Sequence, residues 1–193
     1  PSNRDAKLTV YETPVFSPAM NPSTATVCEA TNGSNAVFNI SHSGAGDFTY
    51  QWQVSTMPLV SWQNVEASLW ASMYSPSGRT LNINGNTSGN VPYSANETYY
   101  RLEVTNNQCP TLKVYSPLGK LYVTPRPVIG ALPANTTLCA GESFTFSPAV
   151  SNGSVYQWYY ENCPDGGCTG VATWAPVTGG TSRVLVVTGD ASH

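Results

Sequence analysis

The segment Tyr50-Gln51-Trp52-Gln53-Val54-Ser55 decides the architecture, because it returns in shortened form as Tyr156-Gln157-Trp158-Tyr159 and marks the chain as modular. In the first copy Tyr50, Trp52 and Val54 fall on one parity and Gln51, Gln53 and Ser55 on the other. That alternation is the signature of a strand with one buried face and one wet one. Trp52 is expected to point inward, and Trp158 to do the same in its own module.

The composition agrees with strands. Val, Thr, Tyr, Phe and Trp cluster in short runs separated by Asn, Gly, Ser and Pro, and few stretches combine helix formers with a 3.6-residue period. An all-β class follows. A formal charge of -3 with 8 Lys and Arg gives no basic stripe to displace counterions from phosphates, which argues against nucleic acid as a partner. No apolar run approaches the roughly 18 residues that span a bilayer. Pro1-Ser2-Asn3-Arg4-Asp5 lacks the charged-then-apolar pattern of a signal peptide, so any export signal is expected outside this segment.

Trp52 follows Cys28 by 24 residues and has strand-like segments on both sides, as a tryptophan on strand C of a two-sheet immunoglobulin-type sandwich would. The five cysteines are spread singly rather than in paired metal-ligand spacings, which points to an oxidising compartment. Cys163 and Cys168, with four residues between them and no His nearby, do not fit a zinc knuckle and are expected to close a small disulfide loop.

Two further alignments set the module boundaries. Residues 6–15 match residues 119–128 at an offset of 113, Cys28 matches Cys139 at 111, and Trp52 matches Trp158 at 106. Residues 1–13 therefore read as the last strand of a preceding module, residues 14–124 as one complete module, and residues 125–193 as a module without its last two strands. Strands are expected near Thr26–Cys28, Ala36–Ile40, Thr49–Ser55, Thr80–Ile83, Tyr99–Val104 and Leu118–Val123. Phe38, Trp52, Tyr100 and Leu102 are the candidate core of the first module, with Phe146 and Trp158 in the second. Pro125-Arg126-Pro127 reads as a short, semi-rigid linker, because proline cannot donate to a ladder and stiffens the joint. A sandwich short of two strands would leave an apolar groove and open edges.

Tyr50–Ser55, Trp62-Gln63-Asn64-Val65, Tyr99–Asn106 with Cys109, and Leu138-Cys139-Ala140-Gly141-Glu142-Ser143 together resemble the immunoglobulin-like tandem repeats of very large Bacteroidota surface proteins. The resemblance covers most of residues 14–193. It implies a cell-surface or secreted location, export by the type 9 route, and a place in a gliding or attachment adhesin, a filament-like stalk, or a region beside the catalytic domain of a secreted enzyme. The stretch from Glu66 to Arg79 departs from such repeats in being longer and more aromatic.

That stretch supplies the candidate ligand-binding residues, Trp70, Met73 and Tyr74, since exposed aromatics stack on sugar rings or anchor partner surfaces. The competing reading folds them over the sandwich. Trp62 and Trp174 read as edge or core residues. Cys28 and Cys109 suggest the strand B to strand F bridge of antibody domains, but Cys28 precedes its strand and Cys109 follows its own, which separates them by about 20 Å at roughly 3.3 Å per residue. Two pairings stay open: within one module, or between neighbours, with Cys28 and Cys139 each touching the turn of the next module. The partner of Cys139 is unassigned. Six Asn-X-Ser/Thr triplets, at Asn32, Asn39, Asn86, Asn96, Asn135 and Asn152, are attributed to composition. Asp47, Asp165 and Asp190 lack the clustered spacing of a Ca²⁺ loop, so no metal or cofactor is expected. His42 and His193 are the only histidines and fit no catalytic constellation.

The expected role is non-catalytic: tandem modules forming a stalk or adhesin of a large bacterial surface or filament protein, whose partners are neighbouring modules, surface glycans or other surface proteins. Two alternatives are an accessory, sugar-binding module of a secreted hydrolase and a filament subunit in which residues 6–13 of one chain complete the open module of another.

Overall fold

The computed structural model describes residues 6–29, 35–57, 59, 61–84, 91–134, 136–161 and 173–190. The chain divides at Pro125 into two units.

In the first unit the described residues form nine strands in two sheets. The smaller sheet joins β2 (Asn35–Asn39), β6 (Thr80–Asn84) and β5 (Tyr74–Ser77), all antiparallel. The larger sheet runs β1 (Thr24–Cys28), β9 (Gly119–Thr124), β7 (Thr98–Asn106), β3 (Phe48–Ser55) and β4 (Gln63–Asn64), with β8 (Cys109–Tyr115) beside the far half of β7. β1 lies parallel to β9, and the other pairs are antiparallel. This is the strand order of an immunoglobulin-like sandwich: B, E and D in one sheet, and A′, G, F, C and C′ in the other. The chain enters along β2 through bridges Phe16↔His42 and Asn21↔Asn39, and crosses to the larger sheet at the cis peptide Asn21-Pro22.

The inward parities meet in one core. Trp52 and Val54 of β3, Tyr100, Leu102 and Val104 of β7, and Leu121 and Val123 of β9 face Phe38, Leu81 and Ile83 of the smaller sheet, all buried. The sixth predicted strand is β9, and β8 ahead of it is a strand the sequence reading did not place. β8 and β9 share β7 as partner, and Ser116 fills the gap between them. Its N–H donates to the Leu102 carbonyl, and its hydroxyl oxygen accepts from the Leu102 N–H at 2.8 Å. The side chain replaces the acceptor that the interruption removes.

The described residues of the second unit form three two-stranded pairs: β10 (Val128–Ile129) with β12 (Val150–Ser151), β11 (Ser143–Phe146) with β15 (Leu185–Thr188), and β13 (Tyr159–Glu161) with β14 (Trp174–Pro176). Phe146 stands opposite Leu185 as Phe38 stands opposite Leu81, so β11 and β15 repeat β2 and β6. Here, however, Phe146 and Trp158 are only half-buried, whereas Phe38, Trp52, Tyr100 and Leu102 are closed off from water. Nothing in the described part of this unit plays the role of β7 and β9, the strands that close the first core. At the chain start, residues 6–13 take no regular secondary structure and are exposed.

Candidate functional site

The outward face of the larger sheet gathers the polar and aromatic residues of the first unit. On β7 the outward positions are Tyr99, Arg101 and Glu103, alternating with the core residues. Arg101 lies between two rings, its guanidinium carbon 4.2 Å from the Trp62 ring centre and 4.0 Å from that of Tyr115. Its Nε donates to Gln53 Oε1 at 2.8 Å, Gln53 Nε2 donates to Glu103 Oε2 at 3.3 Å, and Lys113 Nζ donates to Glu103 Oε1 at 2.7 Å. One hydrogen-bonded ladder therefore runs across β3, β7 and β8. A second cation, Lys120, sits over Tyr122 at 4.6 Å and Tyr99 at 5.2 Å, and donates to Glu97 at 2.9 Å.

The electrostatics follow from these contacts. The hydrogen bond to Glu103 holds the Lys113 pKa above its ordinary value, and the bond to Glu97 does the same for Lys120. Partial burial lowers that of Arg101 against the opposing pull of Tyr115 and Glu103, but a guanidinium stays charged throughout. Each of the two Arg101–ring contacts is worth about 0.5–1 kcal/mol. The result is a pre-ordered surface of Tyr, Trp and Arg, the residue types that carry most of the energy of protein interfaces.

The residues proposed from sequence lie elsewhere. Met73 and Tyr74 are buried in the core, so they are not an exposed ligand platform. The stretch after β4 folds as two 3₁₀ turns, Val65–Ala67 and Ala71–Met73, which tuck Val65, Ser68 and Met73 inward before β5 begins at Tyr74. The Tyr74 hydroxyl reaches the Tyr100 hydroxyl at 3.1 Å, which reaches Thr98 Oγ1 at 2.8 Å, which donates to the Ala95 carbonyl at 2.9 Å. Of the three, Trp70 keeps partial exposure, packing on the core edge with its indole N–H donating to Ser94 Oγ at 3.4 Å. Trp62 serves as a wall for Arg101, and Trp174 is exposed on β14.

Cys28 and Cys109 lie at opposite ends of the larger sheet and form no bridge with each other. Cys28 pairs with Thr124 at the end of β9, while Cys109 opens β8 at the turn beyond Asn106. A sheet length of roughly 27 Å separates those ends, far beyond the ~7 Å Cα separation a disulfide tolerates. Cys139 is exposed, beside a turn in which Gly141 at φ +85° lets Glu142 return its carboxylate to the Cys139 N–H at 2.9 Å. The Cys163 and Cys168 pair, Asp165 and His193 lie outside the described residues. His42 is caged by Phe16 and Phe48, with its ring nitrogens 3.0 Å from Ser43 O and Tyr50 Oη. Among the described residues no three His, Cys, Asp or Glu side chains converge as metal ligands. Among the described residues no helix is long and apolar enough to cross a membrane.

Arg101, Tyr115 and Lys120 were not singled out from the sequence, and Trp62 was read there only as an edge or core residue. The outward parity of Arg101 was visible there, but its two rings come from β8 and from the turn before β4, which only the fold brings together.

No protein-family model and no curated protein matches this sequence. Solved structures of immunoglobulin-domain proteins do. A chimeric titin Z1Z2 functionalized with a KLER exogenous peptide from decorin is 20% identical, with a TM-score of 0.41 over 61% of this chain and 100% of that one. The N-terminal four Ig domains of Dscam1 isoform 6.9 are 12% identical, with a TM-score of 0.48 over 97% of this chain and 41% of that one. Extracellular domains 3–5 of Drosophila OTK are 12% identical, with a TM-score of 0.42 over 92% of this chain and 53% of that one. The chain thus spans about two fifths of the Dscam1 fragment. The fold assignment rests on strand order and register.

Proposed function

We propose that this chain is a non-catalytic, structural and adhesive stretch of a large cell-surface protein, in which immunoglobulin-like modules are strung in tandem as a stalk or adhesin. The observation that carries the reading is the outward face of the larger sheet, where Arg101 is held between Trp62 and Tyr115 and Lys120 over Tyr122. Docking onto such a face immobilises little that is not already ordered, which lowers the cost of binding. The guanidinium already covers one face of each ring it touches, which favours a protein surface over a sugar ring as the partner. Repeated modules would sum weak contacts into avidity. The resemblance of the Tyr50–Ser55, Tyr99–Asn106 and Leu138–Ser143 motifs to Bacteroidota surface repeats supports a place outside the cell and export by the type 9 route.

The test is adhesion of beads coated with the chain to whole bacterial cells and to glycan-coated or protein-coated surfaces under flow. Retention on cells or on protein should fall several-fold for Arg101→Ala with Tyr115→Ala, while Trp70→Ala leaves it unchanged. Retention indifferent to the Arg101 pair, or turnover of any glycan or peptide substrate by the purified chain, would sink the reading.

A further inference from the structure

On the outward face of the larger sheet, Arg101 is the cation without a carboxylate. Lys113 is paired with Glu103 at 2.7 Å and Lys120 with Glu97 at 2.9 Å. Glu103 is turned to other donors, with Oε1 accepting from Lys113 Nζ and Oε2 from Gln53 Nε2, and Glu66 accepts from Gln51 Nε2. Arg101 itself engages only Nε, which donates to Gln53 Oε1 at 2.8 Å. Among the described residues its two terminal nitrogens have no hydrogen-bond partner, and neither is shut away from water.

The surroundings prepare that free edge for one kind of group. The ring centres of Trp62 and Tyr115 lie 4.2 and 4.0 Å from the guanidinium carbon, and the bond to Gln53 holds the Nε side. These three contacts fix the direction of the terminal fork, and the rings keep water off the faces of the guanidinium. A planar fork of N–H donors matches a carboxylate, which accepts two parallel bonds from it. Partial removal of water strengthens the attraction between the two charges. A neutral hydroxyl or amide oxygen takes a hydrogen bond but leaves the charge unbalanced.

We propose that the terminal fork of Arg101 anchors a side-chain carboxylate, Asp or Glu, presented by a partner protein. The inference rests on the adhesive reading of this face and names the chemistry of its partner. In an acidic sugar the carboxylate is attached directly to the ring, which would be brought against the edges of Trp62 and Tyr115, whose facing sides the guanidinium already covers. An Asp or Glu carboxylate stands off from its backbone on methylenes and reaches the fork alone. Lys113 and Lys120 do not compete, because each would first have to release its own carboxylate.

The test is a titration of the isotope-labelled 193-residue chain, followed by NMR at the Arg101 Nε–H and at the backbone amides of Gln53 and Arg101. The probes are the end-capped peptide Gly-Ser-Glu-Glu-Ser-Gly, the same peptide with Gln in place of both Glu, and a trimer of galacturonic acid. The Glu peptide should give saturable shifts at all three positions. The Gln peptide and the sugar acid should bind at least about tenfold more weakly, the factor that one charge-assisted hydrogen bond supplies. Arg101→Lys keeps the charge but loses the fork and the stack, and should weaken the Glu peptide by the same factor. The comparison of probes on the wild type needs no variant to fold.

Equal binding of the Glu and Gln peptides, no binding of any probe, or undiminished binding by Arg101→Lys would overturn the proposal. So would tighter binding of the sugar acid, which would assign the fork to a glycan. The adhesive reading fails separately. Bead retention lost in Arg101→Ala with Tyr115→Ala but kept in Arg101→Lys would leave the adhesive face standing and remove the carboxylate. Retention indifferent to the Ala pair would remove the adhesive reading, and the selectivity of the fork would then stand or fall on the titration.

Discussion

Trp52 and Trp158 make the same hydrogen bond in two separate units. Each indole N–H donates to the carbonyl three residues ahead of the leucine that faces the core phenylalanine: Gly78 O at 3.0 Å ahead of Leu81, and Ser182 O at 2.9 Å ahead of Leu185. The preceding glutamines agree, since Gln51 and Gln157 each donate from Nε2 to the carbonyl of their own tryptophan. The Gln-Trp pair thus fixes a strand to the opposite sheet at one point, and the unit is assembled around it.

The two tryptophans differ in what surrounds them. Trp52 is buried by β7, whereas Trp158 faces the open groove. Trp52→Ala should cost about 3–5 kcal/mol, the range for emptying a closed core site. Trp158→Ala should cost distinctly less, because water already reaches its ring. Amide exchange resolved by residue checks this: protection across β3 and β7 should collapse for Trp52→Ala, and change little in β11 and β15 for Trp158→Ala. Equal losses would contradict the open state of the second unit.

The buried hydroxyl chain has a direction. The single proton of Thr98 Oγ1 goes to the Ala95 carbonyl, so Thr98 accepts from Tyr100 and Tyr100 accepts from Tyr74. Tyr100→Phe removes the middle member, so the Tyr74 donor and the Thr98 acceptor both lose a partner in the core, at about 1–3 kcal/mol. Tyr74→Phe removes the terminal donor and leaves an acceptor with one partner fewer, about 0.5–1.5 kcal/mol. Urea unfolding should rank them in that order, and the reverse order would refute the direction.

The same pair sets the alkaline limit. Burial raises the pKa of Tyr74 well beyond the usual phenol range and pushes that of Tyr100 up to about 12. A raised folded pKa means that the unfolded state ionises first. Stability is therefore intact below about pH 10, the unfolded phenol value, and falls as pH rises from there through the folded value. Lys113 and Lys120, held charged by Glu103 and Glu97, lose their contributions in the same direction above the ordinary lysine value. Tyrosinate absorbance on a pH jump should show exposed tyrosines ionising at once and two appearing only with the unfolding rate. Immediate ionisation of all eleven would show that this network is open to water.

What the sequence disclosed divides along physical lines. β2, β3, β6, β7 and β9 were legible because each keeps alternation over four residues or more, with one parity in the core. β4 and β5 were not, since β4 has two residues and β5 reads Tyr-Ser-Pro-Ser, with a proline that weakens any strand reading. β8 was hidden because Ser116 and Pro117 cut it from β9, and one interrupted strand looks like a strand and a loop. Met73 and Tyr74 misled for a related reason: Met73 ends a 3₁₀ turn and Tyr74 opens the short β5, and neither segment has a period long enough to separate inside from outside. The Arg101 stack needed three elements distant in sequence, and no local pattern carries that.

Gly119 tests the packing of the two sheets most directly. A Cβ there would stand 2.8 Å from two Phe38 ring atoms and 3.2 Å from Met20 Cγ, so the glycine serves close approach between β9 and the opposite sheet. Gly119→Ala should destabilise by about 1–3 kcal/mol through overpacking. Phe38→Leu alone should also destabilise, by opening space where the ring was. The double variant should lose less than the sum, because the leucine vacates part of the volume that the new methyl needs. A double-mutant cycle in urea measures the coupling. Simple additivity would mean that the strand shifts away from Phe38 instead of pressing on it, and that β9 is looser in the sheet than its pairing with both β1 and β7 implies.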